Sequence, residues 1–434
     1  MGIHLKYNKS YLNREAYTWA ADYLEGYFEY ILHLYKNKEL PPESHLDLLI
    51  IISDILPQFS ASIWEEMGYY LCKEIKKQIE IEGINPYKLG MFSSLGRQAF
   101  AVNLYNKHTG HLNTFSRTLN DLLLKAAAAR AADLLNSKSE TYASHYDCIA
   151  GISGILNYLL DTEKGKDNEQ HLKVMLDYLV YLSDSSLHEG VGVLNFHIPE
   201  ANLFTDLEKK IFPNGHLNLG LSHGMLGPLI AMSKARKLGL SVEGLEGATE
   251  TINLLYDQYR ERKDGISIWP CYLSPNEYAN GLMPEHSSLL KIQRSGWCYG
   301  NISIARGLQI ASMYSGDKER EGKYLDFLLD IIDAPIEAYN LDNPGLCHGF
   351  ASVMTIGAYT SDMGKMPNLI SPMNRCVLAC KEIFADGSFA SSAEIIEQYF
   401  EKDVSLLQGA GGLAAGLLKI MHRDMEFGKI LMIN

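Results

Sequence analysis

A chain of 434 residues, 47% of them hydrophobic and 21% charged, is long enough to bury a large core without disulfide staples. Its formal net charge of −13 is spread along the sequence, which argues against a nucleic-acid partner, because phosphate-backbone binding needs grouped Lys and Arg. The longest apolar runs, such as "LDLLIIISDIL", are too short and interrupted for a membrane span, and no apolar signal segment opens the chain. Seven scattered cysteines then read as thiols in a reducing, cytoplasmic setting.

Taken in chain order, the sequence is dominated by helical periodicity. "SSLGRQAFAV" opens an apolar helix with two small residues, Ser93 and Gly96, three apart. "TLNDLLLKAAAARAADLLNS" is rich in strong helix formers and repeats its apolar positions at three- and four-residue steps. The small pair returns at Gly151/Gly154 in "GISGILNYLL", and "HLKVMLDYLVYLSD" then lines up Leu172, Met175, Leu176, Leu179 and Leu182 on one stripe. "GVGVLNFHI" alternates like a strand, as does "DGISIWPCYL" later, with the pair Gly224/Gly227 of "GMLGPLIAM" between them. Gly300/Ser303 follows in "GNISIARGL". "KYLDFLLDIIDA" carries a stripe of Leu325, Leu328 and Ile332. The last pairs are Gly349/Ser352 in "GFASVMTIG" and Gly409/Gly412 in "GAGGLAAGLL".

Six such pairs, each opening an apolar helix, make an internal repeat with spacings of 58, 73, 76, 49 and 60 residues. Each spacing holds two helices and their connections, and repeated hairpins of this kind close into an all-α, α/α toroid. A phosphate-binding loop is the competing reading of "LLQGAGGLAAGLL". Only 18 residues follow Gly416, too few for the rest of a dinucleotide-binding unit.

In a toroid the equivalent loops gather at one end, so the residues beside the pairs matter. Asp147 precedes the second pair, His223 the third, Cys298 the fourth, and Cys347 with His348 the fifth. Two thiolates and an imidazole suit zinc and leave a fourth position open, as catalytic zinc requires. Adjacent Cys347 and His348 would diverge by about 100° on a regular helix. They can share one ion only in a turn, which "NPGLCHG" supplies. The alternative is two buried cysteines and a core histidine. Cys376 and Cys380, four apart with no histidine beside them, read as core, and His216 and His286 as residues of irregular connections.

The set "HYD", "SHG", "GWCYG" and "CHG", in that order on small-x-x-small helical repeats, resembles the lanthionine synthetase C family (LanC-like proteins), from about Ser93 to the C-terminal "QGAGG". The resemblance implies a single domain over residues 1–434. It would be a double α-barrel of about seven inner and seven outer helices, with a degenerate seventh repeat near the N-terminus. A small strand-containing extension is expected within about 186–222 and 262–293. It also implies a stand-alone class I lanthipeptide cyclase with one Zn²⁺ on Cys298, Cys347 and His348. Such an enzyme adds precursor cysteine thiols to dehydroalanine or dehydrobutyrine by a Michael-type reaction, closing (methyl)lanthionine rings. By the same resemblance His223 serves as general acid to the enolate or base to the thiol, Arg294 stabilises enolate oxygen, and Asp147 orients its neighbours. The implied substrate is a dehydrated precursor, leader plus core. The implied partners are a dehydratase and an exporter, with peripheral association at a membrane-bound complex. Two readings stay open beside it: a LanC-like enzyme adding glutathione to dehydrated residues, and a non-catalytic zinc scaffold. A toroidal glycosidase would need two facing carboxylates, and only Asp147 is well placed.

Overall fold

The computed structural model describes residues 12–434 apart from 58–61, 86, 285–293, 361–365, 388, 390 and 422–423. Among the described residues, fourteen principal helices run alternately outside and inside a ring. In chain order the first seven are α1 (Arg14–Asn37), α2 (His45–Ile55), α3 (Ser62–Glu82), α4 (Leu95–Thr109), α5 (Asn113–Ser137), α6 (Ile152–Leu159) and α7 (Glu169–Ser183). The rest are α8 (Leu226–Lys237), α9 (Leu245–Gln258), α10 (Asn301–Ser315), α11 (Lys318–Asp333), α12 (Phe350–Thr360), α13 (Ile370–Asp386) and α14 (Ala410–Met421).

Composition decides which helix goes where. Even-numbered helices bury most of their residues and sit inside; α6 and α14, apolar or small nearly all round, are buried at every residue. Odd-numbered helices are amphipathic and sit outside. α7 turns Leu172, Met175, Leu176, Leu179 and Leu182 inward as the periodicity predicts. α11 differs from expectation: its buried seam runs through Tyr324, Leu328, Ile331 and Ile332, and Leu325 stays partly exposed. The larger aromatic ring takes the inward position. The stretch "LDLLIIISDIL" is inner helix α2, and no helix among the described residues is long and apolar enough to cross a membrane. α14 returns to pack on α2, closing the toroid, and the α1–α2 hairpin supplies the seventh repeat.

All six small pairs lie at the start of an inner helix, α4 through α14. The loops that carry them are stitched edge to edge by backbone hydrogen bonds. Phe92 N donates to Ile149 O (3.2 Å), Cys148 N to Ser222 O (3.2 Å) and Ser222 N to Cys298 O (3.3 Å). Cys298 N donates to Cys347 O (3.1 Å) and Cys347 N to Leu407 O (2.9 Å), while Leu406 N reaches the Asp47 carboxylate on α2 (3.0 Å). This belt holds the six loops at one end of the ring.

Glycine is required where the belt doubles back. A Cβ on Gly300 would overlap the carbonyl oxygen of Arg294 and come within 2.6 Å of Gly296 N. Gly300→Ala is therefore expected to cost about 1–3 kcal/mol, the usual range for overpacking against rigid neighbours. Denaturant unfolding measures it; a loss below about 0.5 kcal/mol would mean that the turn widens freely.

The strands are short and paired in twos. β1 (Ser185–His188) pairs with β2 (Val191–Leu194), and β4 (Glu261–Lys263) with β5 (Ile266–Ile268), each as a local hairpin. β3 (Leu217–Asn218) pairs with β6 (Tyr272–Leu273), joining two stretches far apart in sequence over the same end of the ring. Residues 285–293 of the expected extension, including His286, lie outside the described residues.

Candidate metal centre

The belt brings together residues that the sequence separates. Cys298 lies in the turn before α10, and Cys347 and His348 lie in the turn before α12. Because Cys298 N bonds Cys347 O, the two turns run side by side. The ligand atoms of Cys298, Cys347 and His348 all fall within 4.8 Å of one another, the one such group of three or more among the described residues. Asn343 braces the second turn: its Oδ1 accepts Gly345 N (3.0 Å) and its Nδ2 donates to His348 O (3.3 Å).

The donor set fits zinc in kind and in size. Cys347 Sγ lies 3.4 Å from His348 Nε2. A tetrahedral ion with the usual Zn–S and Zn–N lengths would separate such atoms by about 3.5 Å. Ligands must be deprotonated thiolate and neutral imidazole. The Cys298 thiol is pulled down to about 7, through its hydrogen bond with Cys347 against the opposing effect of burial, with help from the charge of His223 and from Ser222. Cys347, beside that thiolate, is pushed up. The other five cysteines are all pushed up by burial. Cys376 and Cys380 lie fully buried on α13, as core. Burial first, then the positive charges of Arg294 and His223, hold His348 below its ordinary value and so favour its neutral form.

Beside the cluster stands a His–Asp pair. Asp147 follows a short helix (Ala143–Tyr146), and its Oδ1 accepts Ala150 N (2.7 Å) and Gly151 N (2.8 Å) at the start of α6. That double anchor aims Oδ2 at His223 Nδ1, 2.6 Å away. A carboxylate only accepts, so Nδ1 carries the proton and Nε2 is left for chemistry. Burial works against charging His223, but the hydrogen bond and charge of Asp147 outweigh it, and the imidazole pKa is raised. A folded-state value above the unfolded one means that this pair stabilises the protein fully below pH 6.5 and loses its contribution as pH rises through the raised value. In zinc-free protein Asp147→Asn should abolish that slope in the unfolding free energy; an unchanged slope would place the charge coupling elsewhere.

Arg294, whose charge acts on His348, is 29% exposed, with Asp342 3.9 Å away and its Nε buried without a hydrogen-bond partner among the described residues. Sequence reasoning missed Ser222, whose Oγ lies 2.8 Å from Cys298 Sγ and donates to Cys298 O (3.0 Å). Its signal was weak: it is merely the residue before His223 in "SHG". His216 is no simple connector: it is buried between Phe212 and Tyr272 and driven down to about 3, chiefly by burial. A cavity of about 430 Å³ opens against Cys347 and His348, lined also by Tyr399, Glu401, Asp403 and Gln408.

An α/α toroid with a Cys₂His cluster and a His–Asp pair at its loop end is the class defined so far. The family of lanthionine synthetase C-like proteins matches residues 58–432, and the chain belongs to that family. A curated relative, nisin biosynthesis protein NisC of Lactococcus lactis subsp. lactis, is 26% identical over 212 residues, 49% of this chain and 48% of that one. The chain thus spans about half the length of this curated relative in the match. The solved structure of nisin cyclase superposes with a TM-score of 0.74 at 17% identity, covering 93% of this chain and 96% of that one, and shows the shared toroid fold.

Proposed function

We propose that this chain is a zinc-dependent lanthipeptide cyclase. The observation that carries the reading is the meeting of Cys298, Cys347 and His348 beside the His223–Asp147 pair, with a cavity of about 430 Å³ against Cys347 and His348. Cys298, Cys347 and His348 would hold the ion, and zinc bound there would lower the pKa of a substrate thiol and favour its thiolate.

The reaction forms one C–S bond between a precursor cysteine and the β-carbon of dehydroalanine or dehydrobutyrine. The thiol proton leaves sulfur and a proton arrives at the α-carbon, so mass is unchanged. This chain's residues handle that proton and the charge. His223, whose charged form Asp147 favours, would protonate the enolate from Nε2, and its product state can take up the next thiol proton. Arg294 supplies positive charge for the enolate oxygen. The substrate on this reading is a dehydrated precursor, leader plus core. A dehydratase and an exporter are its expected partners, at the cytoplasmic face of a membrane-bound assembly. The toroid is then one domain, and the strand pairs between α7 and α10 are its extension.

The test is incubation with a dehydrated peptide, followed by alkylation of free thiols and mass spectrometry. Rings block alkylation; thiols that remain fully alkylatable would overturn the reading. A peptide lacking its own cysteine, offered with glutathione, separates the glutathione-adding alternative by the mass it gains.

A further inference from the structure

His223 contacts two aromatic rings, the half-exposed Phe204 with centroids 4.9 Å away and the partly buried Tyr299 at 6.2 Å. Both rings trace back to one carboxylate. Glu208 Oε2 accepts the backbone N–H of Phe204 itself (2.9 Å) and of Thr205 (3.2 Å), closing a capping box on the short Asp206–Ile211 helix. Glu208 Oε1 accepts the hydroxyl of Tyr272 at 3.1 Å. The Tyr272 ring packs in turn against that of Tyr299, centroids 5.8 Å apart, and the Tyr299 hydroxyl accepts Asn218 Nδ2 (3.2 Å). The carboxylate is buried, at 8% exposure, although a capping box by itself needs no burial.

We infer that Glu208 is a positioning residue of this site: one buried carboxylate, at the strand-bearing side of the ring, fixes both aromatic walls of His223 and hence the direction of its Nε2. The inference rests on the reading of His223 as the proton-transferring group. The reach is specific to a carboxylate. A glutamine at 208 has one acceptor oxygen, so it can serve Tyr272 or the Phe204–Thr205 backbone but not both. Aspartate is a methylene too short. Two acceptors facing opposite ways is a demand that helix capping alone does not make.

The experiment uses the full-length, zinc-loaded protein with Glu208→Gln, Tyr272→Phe and Thr205→Ala. Glu208→Gln is expected to lower kcat for ring closure roughly ten-fold or more, the usual effect of losing an outer partner of a reacting group. KM should stay within about two-fold and zinc content should not change. Tyr272→Phe, which removes only the Oε1 contact of Glu208, is expected to lose part of that. Thr205→Ala removes the other half of the capping box, the bond from Glu208 N to Thr205 Oγ1, but leaves every contact of the Glu208 carboxylate, and should keep near-wild-type kcat. The ring-current shift of the His223 Cε1 proton, read by NMR, should move in Glu208→Gln and not in Thr205→Ala. An unchanged kcat and proton shift in Glu208→Gln, or equal losses in Thr205→Ala, would overturn the inference. The NMR arm needs no turnover. If wild type closes no ring yet Glu208→Gln still moves the His223 resonance, the proposed activity falls and the positioning role stands.

Discussion

Cys347→Ala is expected to leave the toroid folded, empty it of zinc and reduce ring formation to background. The side chain is buried in a turn, but the hydrogen bonds that hold the turn, to Leu407 O and from Cys298 N, come from the backbone and survive the substitution. Removing one small sulfur from a buried position costs on the order of 1 kcal/mol, well within a domain's margin. The loss of metal is larger. If the roughly 10–16 kcal/mol of a four-ligand zinc site is shared evenly, one ligand is worth about 2.5–4 kcal/mol, or roughly 10²- to 10³-fold in affinity. Losing a thiolate also leaves the ion more positive, so a bound sulfur would be less nucleophilic. Metal analysis of wild type and variant, with Cys376→Ala as a buried cysteine away from the cluster, makes the comparison clean. Zinc retained at full stoichiometry in Cys347→Ala, or missing from wild type, would remove the proposed centre.

His223→Ala is expected to do the reverse: keep zinc and lose the reaction. His223 is not in the three-residue cluster, so metal content should match wild type. The rate of ring closure should fall by about 10²- to 10⁴-fold, the span associated with a positioned proton-transfer group. Asp147→Asn should reproduce much of this loss without touching the metal. Its amide oxygen can still accept Ala150 N and Gly151 N, but its NH₂ then faces His223 Nδ1–H, donor against donor, and the imidazole must change tautomer or turn. The same pair of variants decides between an enzyme and a scaffold. Zinc-loaded His223→Ala that closes rings at the wild-type rate favours the scaffold.

The helical class was legible because inner and outer helices need different patterns, and "AGGLAAGLLKIM" and "HLKVMLDYLVYLSD" differ as an all-round buried helix and an amphipathic one must. The small pairs were legible for a steric reason: a helix that starts inside a ring, against a belt of backbone, has no room for side chains there. Position beside those pairs then singled out Asp147, His223, Cys298, Cys347 and His348 before any fold was known. Where the inward direction had to be chosen between near-equal candidates, as for Leu325 and Tyr324 on α11, periodicity alone chose wrongly.

What the amino-acid order determined by itself was local: which segments are helices, where the inner ones begin, and which reactive side chains stand at those beginnings. What only the tertiary structure decided was which beginnings touch. The bond from Cys298 N to Cys347 O spans a separation of 49 residues, and the one from Ser222 N to Cys298 O spans 76. Both exist because the ring closes and lines the turns up edge to edge. The reach of Glu208 to both walls of His223 belongs to the same category. A capping box can be seen in "TDLE", but the direction of its second oxygen depends on where β3 and β6 bring Tyr272, and no local rule carries that information.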